Sequence, residues 1–219
     1  MEHTFLIAGG SGLIGTELRE YFNAVGYKVR ILSRRATNAT LGIYNWNLKN
    51  EYIDPLAFDG VSVVINLAGQ SIIGKRWTDQ RKEELRNSRI QSTKLLVSNI
   101  NNYFNSVQHF VQASAIGYFG NRGDEVLTED STAGEGFMAE LCKDWEAEAL
   151  KINKPTNVSV VRIGLYLSTK GGVFATLSKL SRFMLASAFG NGKQFTSYTH
   201  HKEFSSFIHN TSIATSTMM

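Results

Sequence analysis

The 219-residue sequence contains one cysteine, Cys142, and two prolines. A single cysteine excludes an intramolecular disulfide framework and any multi-cysteine zinc or iron–sulfur site. Between Leu141 and Lys143 it reads as a small buried hydrophobe. Long apolar runs are missing as well. The stretch at 61–68 is interrupted by Ser62 and Asn66, and nothing approaches the roughly 18 apolar residues of a membrane helix. The chain enters an apolar strand within its first few residues, which leaves no room for a basic leader and cleavage site. No spaced cluster of histidines and carboxylates occurs, so no metal is expected; His200-His201 lacks spaced partners. With 42% hydrophobic and 19% charged residues, wholesale disorder is excluded. These limits describe a soluble, cytoplasmic, globular protein of one large domain or a domain with an appendage.

Charge of one sign is only slightly in excess, 23 Lys+Arg against 19 Asp+Glu. Arg34-Arg35, Lys75-Arg76 and Arg81-Lys82 are short pairs scattered among acids, without the basic stripe and interleaved aromatics of a nucleic-acid surface. A solvated surface with one anion pocket is the expectation, with no nucleic-acid and no membrane partner.

Hydrophobic periodicity alternates strand and helix. Strands are predicted at 4–8, 28–32, 43–48, 61–67, 108–114 and 158–163, and helices at 16–25, 77–104 and 137–152. Thr78 is the predicted N-cap of the long helix, and Leu85, Ile90, Leu95, Leu96 and Ile100 form its apolar side. This β–α–β succession predicts an α/β Rossmann-type, doubly wound parallel sheet. Beyond 167, a helix at 173–188 and a turn at Gly190-Asn191-Gly192 are expected. A Ser-, Thr- and His-rich stretch from 200 onward reads as an edge segment and a loose tail.

Gly9, Gly12 and Gly15 are spaced G-x-x-G-x-x-G between the first strand and the first helix. Small residues there permit a tight turn, close backbone approach to a pyrophosphate and close packing of helix on sheet, while the helix N-terminus supplies N–H donors. Gly9, Ser11, Gly12, Leu13, Ile14 and Gly15 are therefore the predicted pyrophosphate loop. A glycine-rich structural turn is the competing reading. At the end of the second strand, where an NAD site carries an acid for the ribose hydroxyls, Ser33 is followed by Arg34 and Arg35, with no acid until Glu51. Arginine can pair a 2′-phosphate with charge-assisted bonds, so NADP(H) is favoured, with Arg34 and, second to it, Arg35 as its readers. Asn66, Ala68 and Gly69, ending the fourth strand, are assigned to the ribose and nicotinamide side, against the alternative of an ordinary strand-ending turn.

Together these residues resemble the extended short-chain dehydrogenase/reductase superfamily. Lys75-Arg76-Trp77-Thr78 with Ser88-Arg89 and Thr93 is similar to the K-R-W-T…S-R…T signature of an atypical epimerase-like subgroup, the NAD-dependent epimerase/dehydratase family proteins, some of which carry the label of cell division inhibitors. Ser114-Ala115-Ile116-Gly117-Tyr118-Phe119-Gly120 resembles its S-A-x-G-Y-Y-G segment, and the 137–146 stretch its F-L-A-x-x-C-x-x-W-E helix. Arg162-Ile163-Gly164 and the 190–195 stretch match further blocks, so the likeness runs to about Phe195. The resemblance implies an NADP(H)-binding Rossmann domain over 1–167 and a partial substrate lobe over 168–219. After 195 the match decays, and a truncated or altered C-terminus is the expectation.

The superfamily's Tyr-x-x-x-Lys pair, in which Tyr is the general acid/base and Lys lowers its pKa, falls here on Met138 and Cys142. Ser114, at the position of a substrate-binding serine, and Tyr118, the nearest phenol, are the remaining catalytic candidates. A strand-end serine satisfying a backbone group and an aromatic packing its loop compete with those roles. Trp77 and Trp145 read as core packing, and Glu129-Asp130 as solvated loop acids. The implied function is an NADP(H)-dependent epimerase- or oxidoreductase-like protein acting on a small molecule, the nucleotide-linked class among those admitted. The alternative is a non-catalytic NADP(H)-sensing or partner-binding module; a homodimer is compatible with either.

Overall fold

The computed structural model describes residues 3–184, 192 and 194–214. Nine strands and five α-helices are described. Strand β1 (Thr4–Ala8) leads into α1 (Leu13–Ala24) and β2 (Lys28–Ser33), and β3 (Ile43–Asn47) and β4 (Tyr52–Ile53) follow. Strand β5 (Val63–Asn66), α2 (Asp79–Tyr103), β6 (His109–Ala115), α3 (Phe137–Ala149) and β7 (Asn157–Ile163) complete the main layer. Beyond it lie β8 (Leu165–Leu167), α4 (Gly172–Arg182), β9 (Tyr198–His200) and α5 (His201–Ala214).

Seven strands form one sheet in the order β4-β3-β2-β1-β5-β6-β7. All neighbours are parallel except β4, which returns antiparallel along β3 and makes the edge. The expected doubly wound sheet is therefore present. Its order reverses between β1 and β5, and in such sheets the crevice beyond the strand C-termini at this point receives ligands. Phe5 lies in register between Val29 and Val63, and Ala8 between Leu32 and Asn66.

Because side chains alternate across a strand, β1 supplies both cores. Leu6 and Ala8 join Leu32, Val64, Phe110, Leu96 and Ile100 on one face. Phe5 and Ile7 join Leu18, Phe22, Ile31, Val63 and Val111 on the other. Thr78 caps α2 by accepting from the Arg81 N–H at 3.2 Å, as its position predicted. Leu85, Leu96 and Ile100 are fully buried, Leu95 nearly so, and Ile90 half-buried.

The C-terminal stretch differs from expectation. Its edge segment exists as β9, parallel to β8, but 201–214 is helix rather than loose tail. Phe204 and Ile208, one helical turn apart, are buried in the second core beside Phe5 and Phe22. The serines that made this segment look unstructured serve the helix. Ser205 and Ser212 donate to the carbonyls of His201 and Ile208 at 3.0 and 2.7 Å. His209 lies between the hydroxyls of Tyr21 and Tyr27, 3.2 Å from each. Two buried apolar side chains and one histidine bonded to two distant tyrosines thus replace the apolar stripe a sequence reading looks for. The helix expected at 173–188 is observed as α4 but stops at Arg182, with Phe183 as its C-cap and Met184 at φ +56° ending the run; residues 185–188, Gly190 and Asn191 lie outside the described residues.

His109, on β6, is buried and bonded through Nε2 to Ser159 Oγ at 2.8 Å. Burial pushes its imidazole below the ordinary value, against a smaller opposing effect of the Ser212 backbone. The folded state therefore holds it neutral, whereas the unfolded chain protonates near pH 6.5. As pH falls through that value the unfolded state binds more protons and stability is lost. The melting temperature should fall between pH 7.5 and 5.5, and fall less in His109→Gln; equal slopes would show that His109 is not the titrating group.

Candidate active site

Four chain segments meet along the C-terminal edge of the sheet. The first is the turn after β1, closed by Gly12 N–H donating to Gly9 O at 3.0 Å. Gly9 has φ +79° and passes so close to the next strand that a methyl group there would stand 2.7 Å from Leu67 O. A methyl group on Gly15 would stand 2.5 Å from Gly9 O, so both outer glycines are demanded by backbone meeting backbone. Gly12 is the N-cap of α1 in extended conformation, without a capping side chain, and the first turn carries no acid. Ser11 and Gly12 are exposed, and Leu13 and Ile14 half-buried. The first N–H groups of a 12-residue helix, with their partial positive charge, therefore face solvent.

The second segment follows β2. Ser33 Oγ accepts from Arg35 N–H at 3.2 Å, and Asn45 Nδ2 donates to the Arg35 carbonyl at 2.8 Å and the Arg34 carbonyl at 3.4 Å. The backbone is pinned while both guanidinium groups are exposed, and neither has an ion-pair partner among the described residues. Asp54, joined to this loop through Thr37, is engaged by the Thr37 hydroxyl and Leu56 N–H.

The third segment ends β5. Asn66 is fully buried and every polar atom of its side chain is used. Nδ2 donates to Thr93 Oγ1 and Gln112 Oε1, both at 2.9 Å, and Oδ1 accepts from Ala68 N–H at 3.1 Å. Trp145 Nε1 completes the group by donating to Thr93 Oγ1 at 2.9 Å. Asn66 thus shapes the turn through which buried Ala68 and exposed Gly69 pass. Thr93, Gln112 and Trp145 escaped sequence reasoning as members of this network. Their only signal was polar residues at positions periodicity assigned to the core.

The fourth segment ends β6. Ser114 is 3% exposed and donates to Glu146 Oε1 at 2.5 Å. Opposite it in register stands Arg162 of β7, whose Nε and Nη2 grip Glu146 at 3.0 and 2.9 Å. The third donor of Arg162, Nη1, reaches the Glu129 carbonyl at 3.0 Å, and its guanidinium lies 3.6 Å from the centre of the Tyr118 ring. The carboxylate bond holds the Arg162 guanidinium above its ordinary pKa. Ser114 accordingly points into the β6–α3–β7 interior. Tyr118 is half-buried with its ring stacked on that arginine, and no hydrogen bond is made at its hydroxyl among the described residues.

Met138 and Cys142 pack toward Gly117, where a methyl group would lie 3.3 Å from Met138 Cβ and 4.0 Å from Cys142 Sγ. Cys142 is buried, and burial pushes its thiol up. Trp145 is buried as expected, but Trp77 is 41% exposed, with its indole N–H donating to Ile72 O at 3.0 Å. The proximity of Phe137, 5.8 Å between ring centres at 74°, holds Trp77 from one side only. Sequence periodicity gives no signal that the loop before α2 leaves that side open.

The NAD dependent epimerase/dehydratase family model matches residues 5–168, which spans all four segments. The chain belongs to that family. An epimerase family protein of Mycobacterium leprae is 37% identical over 193 residues, 88% of this chain and 62% of that protein. The chain thus spans less than two thirds of that relative's length. The crystal structure of human epimerase family protein SDR39U1 (isoform 2) with NADPH matches with a TM-score of 0.87 and 28% identity, covering 96% of this chain and 70% of the human one. A nucleoside-diphosphate sugar epimerase from Corynebacterium glutamicum matches with a TM-score of 0.79 and 30% identity over 95% of this chain and 43% of its own. The family resemblance and fold expected from the motifs are borne out. In the sheet the Gly9 turn lies against Leu67 and Ala68 at the end of β5, Arg34 follows β2 and Tyr118 follows β6, while Asn66, assigned from sequence to the ribose side, is buried and acts only through the turn it fixes.

Proposed function

We propose that this epimerase-family chain binds NADP(H) across the β1/β5 crevice and orients it toward a small-molecule substrate in epimerase- or oxidoreductase-like chemistry. The observation that carries the reading is the pairing of an uncapped, acid-free α1 N-terminus with two unpartnered arginines at the end of β2. A pyrophosphate fits the first and a 2′-phosphate the second. The close-packed Gly9 and Gly15 keep the turn low enough for a phosphate to reach the exposed N–H groups. The human relative, whose structure was solved with NADPH, lends further support.

When bound, the dinucleotide supplies hydride transfer. Gly9, Ser11, Gly12, Leu13, Ile14 and Gly15 hold its pyrophosphate, Arg34 and Arg35 its 2′-phosphate, and Ala68 and Gly69 line the ribose side on a turn fixed by Asn66. Tyr118 offers the proton. Ser114 takes part by anchoring the Glu146–Arg162 pair under the Tyr118 ring, and it meets a substrate only by releasing Glu146. The segment from 168 onward begins the substrate lobe. A second reading, a cofactor-sensing module without turnover, is favoured by one observation: Met138 and Cys142 occupy the place of the acid/base pair and pack against Gly117.

Fluorescence titration with NADPH and NADH tests the cofactor assignment. NADPH should bind at least about tenfold tighter, and Arg34→Ala with Arg35→Ala should erase that preference, as expected for a lost charge-assisted hydrogen bond. Equal affinity of the natural chain for both nucleotides would overturn it.

A further inference from the structure

Between β5 and α2 the chain makes a loop over 70–77 whose base and tip are built differently. The base is held from beneath by two arginines of α2. Arg81, itself 7% exposed, donates through Nη2 to Ser71 O at 2.5 Å and through Nη1 to the Gln70 side chain and to Glu84. Arg89 Nη2 donates to Gln70 O at 3.1 Å, and Gln70 N–H is bonded to Ser88 Oγ at 3.1 Å. The tip, by contrast, presents Ile72, Ile73, Lys75, Arg76 and Trp77 outward, with Ile73 57% exposed. The indole N–H of Trp77 is tied to Ile72 O, so its ring is fixed rather than free to collapse onto the surface. The Lys75 and Arg76 side chains have no hydrogen-bond or ion-pair partner among the described residues, although the Arg76 carbonyl accepts from Thr78 N–H at 3.1 Å. Of the neighbouring carboxylates, Asp79 is engaged by Lys82 and Glu84 by Arg81.

Holding backbone rigid in order to expose three large apolar side chains and two unpaired cations costs stability and solubility, and contiguous patches of this kind mark binding sites. The loop also has a direction. Trp77 meets Phe137 at the start of α3, and the next residue, Met138, packs against Gly117, the neighbour of Tyr118. The tip therefore flanks the cleft on the side where the proposed reaction takes place.

We infer that the 72–77 tip is the substrate-recognition element of this site. It takes a small molecule that joins an aromatic or otherwise flat apolar ring, held on the Trp77 face and Ile72–Ile73, to an anionic phosphate or carboxylate held by Lys75 and Arg76. The inference deepens the cofactor reading and rests on it for the location of the reacting end. The anion subsite is tested separately. A guanidinium and an ammonium on consecutive exposed residues can pair either anion, and the flat ring supplies the orientation that a bare anion lacks.

Isothermal titration calorimetry with phenyl phosphate, benzoate and phenol separates the sources of the anion. At least one of the two anions should bind the natural chain more tightly than phenol. Lys75→Ala with Arg76→Ala should weaken it about tenfold or more, while Lys75→Arg with Arg76→Lys, which keeps both charges, should retain it. Trp77→Phe should weaken both anions and phenol alike. NADPH affinity should be unchanged in every one of these variants. Failure of both anions to bind, or binding that is indifferent to Lys75 and Arg76, would overturn the inference. Anion binding that depends on these residues in a chain that does not bind NADPH would overturn the cofactor reading alone. A protein or lipid surface as the true occupant would show as no binding of any of the three compounds.

Discussion

Arg162→Met is expected to lower folding stability by about 3 kcal/mol, and the melting temperature by on the order of 10 °C for a chain of this size. The cause is what the substitution leaves behind. Glu146 is buried on α3 and its two carboxylate oxygens are met by Arg162 from β7 and by the Ser114 hydroxyl from β6. Without the guanidinium, that carboxylate keeps one donor and no countercharge in a site water barely reaches. Removing both charges is a different matter. Glu146→Leu with Arg162→Met replaces the pair by apolar volume and should recover most of the loss, because a buried ion pair is worth little against well-packed hydrophobic groups. Denaturant unfolding of the two variants beside the natural chain checks this; equal instability of the single and the double change would show that Arg162 matters for packing on Tyr118 and Phe119 rather than for Glu146.

Gly15→Ala and Gly12→Ala should each weaken NADPH binding about 100-fold, roughly 2.7 kcal/mol, for separable reasons. At Gly15 the new methyl group would stand 2.5 Å from Gly9 O and 2.6 Å from Gly10 Cα, so α1 must lift from the turn. That displacement misaligns the N–H donors and costs about 1–3 kcal/mol of stability as well. At Gly12 the methyl group meets only Gly9 O, at 3.3 Å, on an exposed residue. The fold should tolerate it, and the loss should come from the methyl group standing where the pyrophosphate approaches. Melting curves measured beside the titrations distinguish the two. Undiminished affinity in Gly12→Ala would place the pyrophosphate elsewhere.

Local rules carried the sequence a long way here. The glycine spacing, the Thr78 cap and the apolar strands each involve residues within a few positions of one another, and each is found in the structure where those rules put it. The long-range partnerships were not legible. Ser114 meets Glu146, and Glu17 accepts from Tyr166 and Ser168 at 2.6 and 2.7 Å across some 150 residues of chain. Nothing local in either segment announces such a meeting, because hydroxyl and carboxylate residues read as surface until a partner is known. Helix α5 was missed for a related reason. Its stripe is narrow, Phe204 and Ile208, its serines bond within the helix, and His209 completes the contact by hydrogen bonds rather than by apolar area. At the site, the direction of Ser114 and the exposure of Trp77 both depended on which neighbours β7 and α3 bring in.

A crystal structure of the chain grown with NADPH tests the central claim most directly. The account predicts the pyrophosphate over the N–H groups of Leu13 and Ile14, and the 2′-phosphate within hydrogen-bond distance of the Arg34 or Arg35 guanidinium. It also predicts Tyr118 as the phenol nearest the nicotinamide. A nucleotide bound away from the Gly9–Gly15 turn, or a 2′-phosphate in solvent with both arginines turned aside, would contradict it.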